Sequence, residues 1–287
     1  MNSKSKNFIF ILYCLLVSIL VIEGGMRLFG WGYLYLQKQQ NRIDLANSQD
    51  IVILAIGEST TAFGGTDSWP IQLERLLNSL QDETKFHVIN RGVPATNTNK
   101  ILQRLPEYLN KYKPNFVLAM VGANDRFKDE EPLATRSISR RINWGSVLEE
   151  IRIYRLIQRI WNGLNSGIDE NSEMAVEIRN ALSDHYSFRT ISNLNSMVAI
   201  SKKSGARLIF VQYPLTKVDS LRSVIGHDVL VISNYSVFQS VLDKYGYDVL
   251  FHDKSGGHFG HATNFGNRIL AENVATQLLR LIQSKQD

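Results

Sequence analysis

The sequence contains a single cysteine, Cys14, so neither an intrachain disulfide nor a cysteine-based zinc site is open to it. Cys14 follows Tyr13 inside an apolar run rather than standing behind a small residue at its end, as a lipidated cysteine would. It reads as a small buried hydrophobe. A long basic run interleaved with aromatics is also missing. The 32 Lys and Arg residues nearly balance 27 Asp and Glu, for a net charge of +5, which argues against a nucleic-acid partner. No Walker or dinucleotide fingerprint occurs, and there is no internal repeat or low-complexity tract. The apolar run from Phe8 to Ile22 carries no charge, but at about 15 residues it is short of the ~20 that cross a bilayer.

That stretch is nevertheless the clearest organisational feature. Lys4 and Lys6 precede it, and no small-x-small cleavage site follows. Apolar character resumes after Glu23 and Arg27, with Trp31, Tyr33 and Tyr35 where an interfacial aromatic belt would lie. Residues 1–30 are therefore expected to be an uncleaved signal anchor, a single-pass transmembrane helix ending near Phe29, with the remaining chain outside the cytoplasm. A cleaved signal peptide is the alternative. Lys4 and Lys6 favour a cytoplasmic N-terminus, but Arg27, Lys38 and Arg42 on the other side keep the charge rule from deciding alone. Residues 31–50, polar from Gln37 to Asp50, read as a linker to a domain over 51–287.

Within that domain short apolar runs alternate with amphipathic segments. Strands are expected at Ile51–Ile56, Phe86–Asn90, Phe116–Val121, Arg207–Gln212 and Asp248–Phe251. Most are continuously apolar, as strands covered on both faces are. Between them, Ile71, Leu73, Leu76, Leu77 and Leu80 make one helical face, and Ile101, Leu102, Leu105 and Leu109 another, with a distortion expected at Pro106. The alternation predicts a three-layer α/β sandwich around a mostly parallel five-stranded sheet. Residues 126–184 are an insertion. A helical stripe there (Val147, Ile151, Tyr154, Ile157, Trp161, Leu164) backs a basic face of Arg152, Arg155 and Arg159. It reads as a helix packed on the domain; a lid, or a helix touching a membrane or an anionic glycan, is the alternative.

In open α/β sheets ligands bind beyond the carboxyl ends of the strands, so the polar loops there are the candidates. The first strand is followed by "GESTT" with Ser59, the second by "NRGVPATNT" with Gly92, the third by "GANDR" with Asn124 and Asp125. The last leads into "HDKSGGHFGHATNFG" with His258 and His261. Alone, Ser59 reads as a helix N-cap. With a histidine as base it becomes a nucleophile, and backbone N–H groups at Ser59 and Gly92 with the Asn124 amide are donors for an oxyanion. His252, Asp253, His258 and His261 are ligand types in a short span, but their spacings match no catalytic zinc pattern, so no metal and no cofactor are expected.

Taken together these blocks resemble the SGNH (GDSL-like) hydrolase superfamily over roughly Ile51 to Leu281. The serine block is Gly57-Glu58-Ser59, where the superfamily usually has Gly-Asp-Ser. "NRG" supplies Gly92, Gly122-Ala123-Asn124-Asp125 matches without change, and His261 precedes Gly266 and an amphipathic helix. The resemblance implies a flavodoxin-like fold, Ser59 as nucleophile, His261 as general base, and an oxyanion hole of Ser59 N–H, Gly92 N–H and Asn124. The superfamily's acid three residues before the histidine is here His258. Asp253 reaching across the "KSGG" turn, with Gly256 and Gly257 giving freedom, is one candidate for the third member. A backbone carbonyl orienting His261, leaving a Ser–His dyad, is the other.

The resemblance implies a serine esterase working through an acyl-enzyme on acyl esters, O-acetyl above all, of a cell-surface glycan or glycolipid. An acyltransferase using the same residues is a second expectation. A non-catalytic carbohydrate-binding module, favoured by the histidine at 258, is a third.

Overall fold

The computed structural model describes residues 3–40, 50–81, 84–125, 186–225, 228–255 and 258–283. The region over 126–184 that the sequence marks as an expected insertion, and the glycines at 256 and 257, lie outside the described residues.

Five strands form one sheet: β1 (Ile51–Gly57), β2 (Phe86–Gly92), β3 (Phe116–Met120), β4 (Arg207–Val211) and β5 (Leu230–Ile232), in the order β2-β1-β3-β4-β5. Every pairing is parallel. This is the flavodoxin-like order, whose switch point lies between β1 and β3. The first four strands stand where the apolar runs predict them. The fifth does not. Tyr247–Leu250 is a single helical turn, α8, entered through Gly246 at φ 82° and closed by the Phe251 N–H on the Tyr247 carbonyl at 3.0 Å. The edge strand is instead the short Leu230–Ile232 run, three residues long, too brief to stand out by periodicity.

Helices cover both faces. α3 (Trp69–Leu80), α7 (Tyr235–Tyr245) and α9 (Asn264–Gln283) pack on one side, burying Trp69, Leu73, Leu77, Phe238, Leu270, Val274 and Leu278 against Ile53, Leu118, Ile209 and Val211. α4 (Thr98–Tyr112), α5 (Phe188–Lys203) and α6 (Asp219–Ile225) cover the other side, where Ile101, Leu105, Leu194, Met197 and Leu221 meet Leu54, Ile56, Val117 and Phe210. Each such fully buried aliphatic or aromatic side chain contributes about 1.5–3 kcal/mol from removal of apolar surface from water. Covering on both faces is why the strand sequences run apolar instead of alternating. Asn97 caps α4 by accepting the Lys100 N–H, and α4 remains helical on both sides of Pro106.

The N-terminal helix α1 (Ser3–Gln40) belongs to a compact unit separate from that of the sheet. It is one helix through Gln40, well into the stretch expected as a linker. Leu34, Leu36, Gln37, Lys38 and Gln39 are all good helix formers with no proline or glycine to interrupt them. Among the described residues no helix is long and apolar enough to cross a membrane. The side chains of Phe8, Leu12, Leu15 and Leu16, within the apolar run, lie outside the described set.

Candidate active site

β1 ends at Gly57, and the chain turns at once into a single helical turn, α2 (Ser59–Ala62). The sharp turn depends on glycine: a Cβ at Gly57 would lie 2.1 Å from Thr61 Oγ1 and 2.7 Å from the Met120 carbonyl. The N-cap of α2 is Glu58, not Ser59, and it makes no side-chain cap bond. The Ser59 hydroxyl is thus free of the capping role its sequence position suggests, and it meets His261 Nε2 at 2.8 Å.

Two short segments hold His261. Phe251 and Ala262 form an antiparallel bridge, with the His252 N–H on the His261 carbonyl and the Thr263 N–H on the Leu250 carbonyl, each at 2.9 Å. This pairing carries Asp253 to the imidazole. Asp253 Oδ2 stands 2.6 Å from His261 Nδ1, and Oδ1 accepts the backbone N–H groups of Ser255 at 3.0 Å and His261 at 3.1 Å. A Cβ at Gly260 would fall 1.6 Å from the Asp253 carbonyl oxygen, so only glycine lets the two segments approach this closely. Tyr247 braces the loop from the other side, donating its hydroxyl to the Asp253 carbonyl at 2.7 Å.

Burial pushes the Asp253 carboxyl up, but the hydrogen bonds from His261 and Ser255 outweigh it and hold the group down at about 2. An ionised Asp253 accepting from Nδ1 fixes the tautomer that leaves Nε2 an acceptor for the Ser59 hydroxyl. Ser255 Oγ also reaches Nδ1, at 3.3 Å, and the Phe63 ring leans on the imidazole with centroids 4.9 Å apart. His258, at the position where the acid is usual, is turned to Thr216 Oγ1 at 3.2 Å.

The expected oxyanion donors divide. Asn124 sits in the turn after β3. Its backbone N–H is donated to Glu58 Oε2 at 3.1 Å, and its Nδ2 is anchored on the Thr96 carbonyl at 2.9 Å, leaving a second amide hydrogen. Gly92, the other expected donor, gives its N–H to Asn90 Oδ1 at 2.9 Å. The glycine also serves packing. A Cβ there would lie 2.4 Å from the Ala62 nitrogen and 2.7 Å from the Thr61 carbonyl carbon, so Gly92 lets β2 accept α2 against it. Asn90 Nδ2 adds to this, donating to the Thr61 carbonyl at 3.0 Å. Ala95, in the same loop, adopts the left-handed conformation at φ 55°.

Two buried acids, Glu58 and Asp125, lie beneath the site. Glu58 is only 1% exposed. Its Oε1 accepts the Gly122 N–H at 3.1 Å, and its Oε2 accepts the Tyr213 hydroxyl at 2.8 Å as well as the Asn124 N–H. Burial raises its carboxyl to about 8; Asp125 adds to the rise, and the bonds from Tyr213, Gly122 and Asn124 oppose it. Asp125 ties the same turn to α4 and α5, accepting the Thr98 N–H at 2.8 Å, the Thr98 hydroxyl, and the Thr190 hydroxyl at 2.9 Å. The only sequence sign of this network was the pair of acids flanking Ser59 and Asn124. Among the described residues no group of three or more His, Cys, Asp or Glu side chains could hold a metal ion.

A serine, a histidine and an aspartate in hydrogen-bonded series, at the switch point of a parallel sheet, place the molecule among α/β proteins built around a nucleophilic serine triad. The chain belongs to the GDSL-like lipase/acylhydrolase family, whose sequence model matches residues 55–224. That match takes in Ser59 and Asn124 and stops before Asp253 and His261. An arylesterase of Vibrio mimicus is 34% identical over 96 residues, 32% of this chain and 46% of that protein, so the similarity spans less than half of the relative's length. Among solved structures, an acetyl xylan esterase from Geobacillus stearothermophilus is 16% identical, covering 79% of this chain and 94% of that one at a TM-score of 0.48. A lipase/acylhydrolase from Enterococcus faecalis is also 16% identical, covering 79% and 95% at 0.45.

Proposed function

We propose that the protein is a serine ester hydrolase that cleaves acyl esters, O-acetyl groups above all, of a cell-surface glycan or glycolipid. The observation that carries this reading is the continuous line from Asp253 Oδ2 through the imidazole to Ser59 Oγ, at 2.6 Å and 2.8 Å. Ser59 Oγ attacks the ester carbonyl as its proton passes to His261 Nε2. The tetrahedral oxyanion is met by the Ser59 N–H, an unpaired donor of the first helical turn, and by the free hydrogen of the Asn124 amide. Collapse expels the alcohol, which takes the proton back from His261. Water then repeats the sequence on the acyl-enzyme, and the acid leaves Ser59 free.

Asp253 argues against a binding-only role, because an ionised acid on Nδ1 is what a base needs and what a ligand platform does not. The glycan or glycolipid substrate rests on the resemblance and on an attachment of the chain to a membrane through α1. Ile9, Phe10, Ile11, Leu20 and Val21 are exposed along that helix, behind Lys4 and Lys6, which supports anchoring with the domain outside the cytoplasm.

The test is hydrolysis of an activated acetyl ester by the full chain, with fluorophosphonate labelling of Ser59. Ser59→Ala and His261→Ala should each reduce turnover by three or more orders of magnitude; turnover surviving Ser59→Ala sinks the mechanism. Adding a sugar acceptor separates transfer from hydrolysis, since a transferase forms acetylated sugar in preference to acetate.

A further inference from the structure

Glu58 immediately precedes the nucleophile, and it contacts both loops of the site at once. Its carbonyl receives the N–H groups of Thr61 at 3.1 Å and Ala62 at 3.0 Å, which closes α2 behind Ser59. Its carboxyl group receives the N–H groups of Gly122 and Asn124, each at 3.1 Å, so the turn that carries the Asn124 amide is pinned at two points. Gly122 adopts φ 105°, a left-handed conformation that favours glycine. The third donor, the Tyr213 hydroxyl, stands between Glu58 Oε2 at 2.8 Å and the Met120 carbonyl at 3.1 Å.

This placement satisfies hydrogen bonding in either protonation state. An ionised Glu58 receives the Tyr213 hydrogen. A neutral Glu58 donates its own hydrogen to the Tyr213 oxygen, and the Tyr213 hydrogen turns to the Met120 carbonyl. A buried carboxyl group without such an alternative would leave one partner unpaired in one of the two states.

We infer that Glu58 and the Tyr213 hydroxyl are a positioning pair for the reaction, holding the Asn124 amide in register with Ser59, so that their hydrogen bonding sets kcat and not substrate affinity. The inference rests on the ester-hydrolase reading. The titratable groups that act on Glu58 are Asp125, from the turn after β3, which raises its pKa, and Tyr213, from the loop after β4, which lowers it.

Tyr213→Phe is the decisive variant. It keeps the ring stacked on Phe259, with centroids 4.9 Å apart, and removes only the hydroxyl. On an activated acetyl ester, kcat is expected to fall roughly tenfold with KM unchanged, the size of one lost hydrogen bond to a buried acid. With the Glu58 carboxyl raised to about 8, kcat of the wild type is expected to show an inflection there, which should move upward in Tyr213→Phe and vanish in Glu58→Gln. A general loss of stability would lower the amount of active enzyme without moving that inflection. If turnover depends on Ser59 while Tyr213→Phe leaves both kcat and the pH profile as in the wild type, or raises KM alone, the positioning role is overturned and the hydrolase reading stands. If the wild type shows no Ser59-dependent turnover, both fall together.

Discussion

Asp253 meets His261 Nδ1 at 2.6 Å although the two stand eight positions apart in the chain, and the residue three before His261, His258, faces Thr216 instead. The antiparallel bridge between Phe251 and Ala262 makes this possible, because it lays the segment carrying the acid alongside the segment carrying the base. The acid of the triad has been supplied from an earlier point in the same loop. Asp253→Asn should therefore lower kcat by about 10²- to 10⁴-fold, as loss of the correct tautomer does in other serine triads. His258→Ala should leave kcat within a few-fold of the wild type. Steady-state kinetics on an acetyl ester separates the two, and a large loss at His258 with none at Asp253 would reverse the assignment.

Gly260 is the spacer of that bridge. An alanine would place its Cβ 1.6 Å from the Asp253 carbonyl oxygen and 2.8 Å from Oδ1. The segment must then move, and the carboxylate moves with it. Gly260→Ala should impair turnover about as severely as Asp253→Asn, while fluorophosphonate labelling of Ser59 slows in parallel.

Gly92 tests a different relation. Its backbone N–H is held by Asn90, so replacing it should act through packing of α2 on β2. Gly92→Ala should destabilise the domain by about 1–3 kcal/mol, typical of an overpacked interior, and be visible as a lowered Tm. A variant of full stability with kcat alone reduced would return Gly92 to the oxyanion hole.

Asp253 and Glu58, the two shifted acids of the site, respond to pH in opposite senses. The Asp253 carboxyl lies at about 2 in the folded protein, below its ordinary 3.8. Its stabilising effect is present above about 3.8 and is lost as pH falls through 2, so it stays ionised across the neutral range and does not set the acid limb of activity. Glu58 lies at about 8, above its ordinary 4.5, so its favourable contribution is complete below about 4.5 and is lost as pH rises through 8. Thermal unfolding should accordingly show Tm falling between pH 5 and 8 in the wild type and falling less in Glu58→Gln. Equal slopes in the two proteins would contradict the buried, neutral Glu58.

The sequence by itself determined the sheet's four long strands, the covering helices α3, α4 and α9, and Ser59 with His258 and His261 as candidate partners, between which the family resemblance chose His261. The strands, helices and candidates depend on local signals: continuous apolar runs for strands buried on both faces, a 3.6-residue stripe for helices, and polar loops at strand ends. β5 escaped because three residues are too few to show a period, and Asp248–Phe251 read as a strand because its apolar residues are equally compatible with the helical turn Tyr247–Leu250. The tertiary structure alone decided which acid stands on His261, that Gly92 lets β2 pack against α2, and that Glu58 joins the Ser59 turn to the Asn124 turn and to Tyr213, a residue 155 positions away. Each of these depends on where two distant segments meet. A hydrogen bond is set by distance and direction in space, and neither is encoded by the spacing of residues along a chain once the loops between them are free to choose their path.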